Sequence, residues 1–242
     1  MVSHVPPPIA FALDFTGVDE ARAAAMRVAS SIGMIKVGLE LFVNAGPSVV
    51  ALGRDTVLPV FLDLKLHDIP ETVERAVVQA SSLGAKIVTV HASGGRSMLK
   101  RAVSRATAEG GTLSICAVTV LTSLDDADLR DIGMAGSSRE AATRLARVAF
   151  DEGVRWFVCS PAEVASLRAA LGKEAILVTP GVRPADAAHG DQKRVATPEQ
   201  AIADGADWVV VGRPIRDAAD PLAAARAIAD SIRAAHAKGA ST

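Results

Sequence analysis

The chain has 242 residues, with 26 Lys and Arg against 27 Asp and Glu, and half of its residues are hydrophobic. That length is too great for a mini-protein and too small for two ordinary domains, so it predicts one barrel-sized domain over 1–242. A net charge of −1 lacks the basic excess of a nucleic-acid binder, and with no Tyr, six Phe and two Trp there are few rings on which to stack bases. No run approaches the ~18 to 20 apolar residues of a membrane span. The first ten residues carry three prolines and no basic segment ahead of an apolar one, so they do not read as a signal peptide. Cys116 and Cys159 lie inside apolar runs, which predicts buried free thiols and a reducing, cytoplasmic setting.

In chain order, β-rich runs fall at 9–15, 34–38, 60–64, 87–91, 113–120, 156–160, 176–179 and 208–212. Each is a nearly continuous apolar run, as parallel strands buried on both faces require. Helical stripes lie between them. Val73, Val77, Ala80 and Leu83 form one, and Leu222, Ala225, Ala229 and Ile232 another. Eight alternations at this length predict a single-domain (β/α)8 TIM barrel. A doubly wound open sheet is the alternative, weakened because no G-x-G-x-x-G follows the first strand. Two connections are long, 121–138 and 180–197. Both leave C-terminal strand ends, where barrel enzymes carry their active sites. The tail, 238–242, is expected to fray.

The informative polar residues stand at strand ends. Asp14 ends the first strand, Lys36 lies in the second, the third carries Asp63 and Lys65, and His91 ends the fourth. Strand side chains alternate, so Asp63 and Lys65 share a side, the barrel interior or its top layer. Buried charges are costly unless paired. Asp14, Lys36, Asp63 and Lys65 thus offer two acids and two bases around one opening. A purely structural ion-pair network is the competing explanation, and four such charges at one barrel end outweigh it. Asp68 has a local explanation of its own: Asp68-Ile69-Pro70-Glu71 has the form of a capping box. His67 is expected to face the loop, and His91 to orient a neighbour. No metal-ligand trio and no G-x-S-x-G elbow is present.

Two segments suit an anion. Gly212-Arg213-Pro214 follows the eighth strand, where barrel phosphate sites often sit, with Arg183, Gln192, Lys193 and Arg194 across from it. Ala92-Ser93-Gly94-Gly95 reads as a turn. The acidic run at 124–128 has no evident role in the sequence.

Taken together, these residues resemble the orotidine 5′-monophosphate decarboxylase family, of the bacterial dimeric type, over nearly the whole chain. The segment from Phe61 to Pro70, with Asp63, Lys65 and Asp68, matches the family's Asp-x-Lys-x-x-Asp signature. Six further motifs support it, in order along the chain: 12–14, 35–38, 121–123, 179–183, 191–194 and 211–214. The resemblance implies decarboxylation of orotidine 5′-monophosphate to uridine 5′-monophosphate, with no cofactor and no metal. It implies that Lys65 protonates C6, that Asp63 sits against the substrate carboxylate, and that Lys36 and Asp68 complete a charged array. Asp68, Ile69 and Thr72 would reach across from the partner of a homodimer. Asp14 and Lys36 would bind the ribose, and Thr122 and Ser123 the pyrimidine. Arg183, Gln192, Gly212 and Arg213 would hold the phosphate, with Pro180 beside them in the seventh loop, which would close over it. A magnesium-dependent sugar-phosphate decarboxylase or aldolase shares the Asp-x-Lys-x-x-Asp pattern but carries Glu where Lys36 stands. A non-catalytic nucleotide-phosphate-binding barrel is a further alternative.

Overall fold

A computed structural model describes residues 6–184 and 196–239. Eight parallel strands pair in sequence order and the last pairs with the first, which closes the barrel. They are β1 (Ile9–Ala12), β2 (Met34–Val37), β3 (Val60–Leu66), β4 (Ile87–His91), β5 (Ser114–Val118), β6 (Trp156–Val158), β7 (Ile176–Thr179) and β8 (Trp208–Val211). A doubly wound sheet would leave two open edges, and the β1–β8 pairing removes both.

Alternation along the strands sorts two cores. Ile9 and Phe11, Ile35 and Val37, and Val209 and Val211 face outward into the layer beneath the helices. Ala10, Ala12, Met34, Phe61, Ile87, Cys116, Val178 and Val210 face inward and fill the barrel. This double burial explains why the strands read as unbroken apolar runs. It also explains where the runs overstate the strands. β1 ends at Ala12, not at residue 15, yet Leu13 and Phe15 stay buried beneath the helical layer. Similarly, β5 covers only Ser114–Val118 of the predicted 113–120, although Leu113 and Val120 are buried. Apolar continuity reports burial, and the hydrogen-bonded ladder is shorter.

The helix Pro70–Ser82 buries Val73, Val77 and Ala80 as their spacing predicts, but Leu83 is exposed, because the helix ends at Ser82 and Leu83 is its C-cap. The helix Pro221–Gly239 buries Ala225, Ala229 and Ile232 and runs into the segment expected to fray. The long connection after β5 contains the helix Asp126–Asp131. Its acidic run has a structural role. Asp125 caps the helix and Asp128 completes the capping box, while Asp126 accepts the N–H of Ser138 at 2.8 Å. Ala92–Gly94 is a single 3-10 turn leading into the helix Gly95–Ala108, as its composition suggests. Both cysteines are free and fully buried, and burial holds both thiols protonated, that of Cys159 with a pKa raised to about 12. No helix among the described residues is long and apolar enough to cross a membrane.

Candidate active site

The same inward parity that fills the barrel builds the site. Directly above the apolar floor, each inward position is one step of two further along its strand. Lys36 follows Met34, Asp63 follows Phe61, and Thr89 follows Ile87. Asp14 lies two residues beyond the end of β1, above Ala12. Asp14, Lys36 and Asp63 open into a cleft of about 260 Å³ at the C-terminal ends of the strands, while Thr89 stays buried behind them.

The charges alternate in space. Lys36 Nζ lies 3.4 Å from Asp14 Oδ1 and 3.7 Å from Asp63 Oδ2. Lys65 Nζ is 2.9 Å from both oxygens of Asp63. The array therefore runs Asp14, Lys36, Asp63, Lys65. Gly38 leaves room for it, since a Cβ there would stand 3.1 Å from Lys36 Nζ. Burial pushes the Asp63 carboxyl up, but Lys36, Lys65 and a hydrogen bond from Thr89 outweigh it and hold it below the usual carboxylate range. Asp63 is thus an anion across the neutral range.

Lys65 reaches Asp63 by an irregular route. β3 pairs Leu62 with Val88 and then Leu66 with Val90, so Asp63, Leu64 and Lys65 stand against Thr89 alone. This is a β-bulge, and it extends the strand past its predicted end at residue 64. Lys65 takes a φ of +52°, in the left-handed region that a Lys rarely adopts.

On the opposite wall, Gly212, Arg213, Pro180 and Arg183 line the cleft. Arg183 is buried and its N–H donates to Ala196 O at 3.0 Å, which ties the chain after β7 back onto itself. Two acids and four bases thus face the cleft: Asp14 and Asp63 against Lys36, Lys65, Arg183 and Arg213. That excess of positive charge suits a multiply charged anion.

The family described as Orotidine 5′-phosphate decarboxylase / HUMPS matches residues 7–228. The chain belongs to that family. It is 55% identical over 224 residues to an orotidine 5′-phosphate decarboxylase of Anaeromyxobacter sp. (strain K), covering 93% of this chain and 97% of that one. It is 51% identical over 229 residues to one of Thermobifida fusca, covering 93% and 96%. The crystal structure of orotidine 5′-phosphate decarboxylase from Lactobacillus acidophilus matches with a TM-score of 0.82 at 36% identity, over 93% of this chain and 99% of that one.

Of the residues that the family resemblance singles out, Asp14, Lys36, Asp63, Lys65, Thr122, Pro180, Arg183, Gly212 and Arg213 all meet at the cleft. Ser123 is exposed and does not line it. Asp68, Ile69 and Thr72 are exposed and lie outside it as well. Gln192 falls outside the described residues. The capping-box explanation of Asp68 does not hold. The helix starts at Pro70 with Ile69 at the N-cap and no side-chain cap, because Asp68 Oδ1 instead accepts the N–H of Ile69 at 2.6 Å.

Two contributors have no signal in the sequence. Thr89 Oγ1 accepts the N–H of Lys65 at 2.7 Å and donates to Asp63 Oδ1 at 3.0 Å. Arg216 donates to the backbone oxygen of Asp14 at 2.8 Å and fixes that loop. Among the described residues, no three His, Cys, Asp or Glu side chains are grouped to hold a metal.

His67 is exposed, as expected, and its ring centroid lies 5.3 Å from that of His91. Burial, with His67 and Lys65 nearby, lowers the His91 pKa, while Asp63 opposes the shift. The folded value therefore lies below the unfolded one near 6.5. Acidification below that point charges the unfolded chain first and costs stability. Asp63 acts at lower pH. Its folded pKa lies below the unfolded value near 3.8, so its stabilisation is lost as pH falls through the folded value. Urea midpoints should therefore fall as pH drops below about 6.5, and His91→Gln should flatten that first decline. An equal decline in the variant would assign the loss to other groups.

Proposed function

We propose that this chain decarboxylates orotidine 5′-monophosphate to uridine 5′-monophosphate, in pyrimidine biosynthesis, without a cofactor. The observation that carries the reading is the array Asp14, Lys36, Asp63, Lys65 above an apolar barrel floor. The bond from C6 to the carboxylate breaks, carbon dioxide leaves, and the electron pair remains on C6. That pair lies in the ring plane and cannot spread into the ring as an enolate. Electrostatics must therefore stabilise it. Lys65 is the cation that faces the developing carbanion and gives it a proton. Asp63 already holds its charge, so a substrate carboxylate placed beside it meets a like charge. At ~4 Å that repulsion is roughly 4 kcal/mol at an effective dielectric of about 20, and it vanishes as neutral carbon dioxide departs.

The far wall supports the phosphate assignment. Arg213 and Arg183 offer forked donors and Gly212 allows close backbone approach. Arg213→Ala is expected to raise KM for the nucleotide by about 10- to 100-fold, as loss of a hydrogen bond to a charged group implies. If the variant still discriminates the nucleotide from its phosphate-free nucleoside as the wild type does, Arg213 has no such role. Asp14 and Lys36 bind the ribose hydroxyls, and Thr122 contacts the pyrimidine. Ser123 joins it only if its exposed loop moves inward.

The unit of function is a homodimer in which Asp68, Ile69 and Thr72 complete the partner's cleft. Their exposure supports this, since Ile69 leaves 66% of an apolar surface open beside Asp68. We read 1–242 as one barrel domain. The two free buried thiols fit a cytoplasmic setting.

The deciding experiment follows the ultraviolet absorbance of orotidine monophosphate with purified protein in EDTA. Turnover in EDTA is the expected result. No absorbance change would overturn the reading, and turnover that requires added magnesium would favour the sugar-phosphate chemistry.

A further inference from the structure

We infer that Thr89 is a positioning residue for this reaction: its hydroxyl pins the bulge that carries Lys65 and, at the same time, aims the Asp63 carboxylate. The inference rests on the decarboxylase reading above. In a regular ladder each N–H of β3 facing β4 would find a carbonyl, but here three residues of β3 oppose one of β4. The extra N–H at Lys65 must be satisfied otherwise, because an unpaired buried donor costs about 1–3 kcal/mol. Thr89 Oγ1 meets it at 2.7 Å.

The polarity of this contact fixes the next one. An amide N–H only donates, so the Thr89 oxygen must accept. Its one proton is then available to Asp63 Oδ1, 3.0 Å away. A carboxylate accepts that proton, so the chain of bonds is complete when Asp63 is ionised. Thr89 is fully buried, so its hydroxyl is satisfied by these two partners. One hydroxyl therefore couples three features: the left-handed φ of Lys65, the orientation of Asp63, and the 2.9 Å contacts between their side chains. A left-handed lysine is unfavourable by about 1–3 kcal/mol and persists only where its surroundings hold it. Without the hydroxyl, the bulge is free to relax and Lys65 Nζ to swing away from the reacting carbon.

Two substitutions separate the hydroxyl from the bulk of the side chain. Thr89→Val keeps the branched shape and removes the hydroxyl, whereas Thr89→Ser keeps the hydroxyl and removes the methyl. Steady-state kinetics on orotidine monophosphate should show kcat reduced about 10- to 100-fold in Thr89→Val. KM should barely move, because the ribose and phosphate contacts are untouched. Thr89→Ser should restore kcat. Wild-type kcat in the valine variant, or a serine variant as impaired as the valine one, would overturn the inference in favour of mere packing. Should the valine variant not fold, amide hydrogen exchange decides the point in the wild type and the serine variant. Slow exchange at Lys65 N–H supports the bond, and fast exchange there refutes it. Wild-type protein in the same assay guards the premise. If it turns over substrate while the valine variant matches it, only this inference fails. If the wild type itself does nothing, the decarboxylase reading fails.

Discussion

Lys65→Ala is expected to lose at least about 10⁴-fold in turnover while remaining a folded protein. The size follows from two roles in one group. A positioned general acid contributes about 10²–10⁴, and an electrostatic donor aimed at developing charge about 10²–10³. Alanine supplies neither. The fold should survive because Asp63 keeps its other partners, with Lys36 Nζ 3.7 Å away and the Thr89 hydroxyl at 3.0 Å. Lys65 is 30% exposed and Asp63 14%, so losing this partly buried pair should cost more than the ~1 kcal/mol of a surface pair, while Lys36 still balances the Asp63 charge. The left-handed backbone remains strained with alanine, so no relief is gained there. Turnover by absorbance, with thermal melting as the control for folding, checks both halves. Wild-type-like turnover in the variant would remove Lys65 from the chemistry.

Much of this site was legible in the sequence because barrel strands obey parity. Once Ala10, Ala12, Met34 and Phe61 are assigned to the interior, Asp14, Lys36 and Asp63 must lie above them on the same side. Asp63 and Lys65, two apart, were predicted to share a side, and they do. The route differs. Regular alternation would carry Lys65 a full two-residue step beyond Asp63, whereas the bulge brings Nζ back to both carboxylate oxygens. Nothing local signals this. A left-handed turn usually leaves a Gly or Asn in the sequence, and here it falls on a Lys held by a neighbouring strand. Thr89 was hidden for a related reason. In Val88-Thr89-Val90 it reads as one more β-branched core residue, and only the partner strand's irregularity gives its hydroxyl work to do. Arg216 was hidden by distance, since it bonds a carbonyl 202 residues away. The acidic run at 124–128 shows no role in the sequence, because its charges serve helix capping and the N–H of Ser138, contacts that only the folded loop creates. Spacing thus locates side chains on one strand well, while contacts that depend on register between strands escape it.

The position of Asp68 leads to the second large effect. The side chain lies outside the cleft of its own chain, although its number places it three residues after Lys65. The geometry has a cause. β3 ends at Leu66, and Asp68 Oδ1 is held by the N–H of Ile69, which turns the chain outward into the helix that starts at Pro70. On the proposed dimer reading, Asp68 completes the charged array of the neighbouring copy rather than that of its own chain. Asp68→Ala should be folded and nearly inactive, as Lys65→Ala should be. Mixing the two after dissociation and reassociation should restore activity. Half the dimers formed at equal concentrations are hybrids, and each hybrid holds one site with both residues native. Roughly one quarter of all sites should therefore recover, as two-fold symmetry requires. Recovery near that level would place Asp68 in the partner's site. No recovery, with hybrids shown to form, would return Asp68 to its own chain and leave the array complete within one barrel.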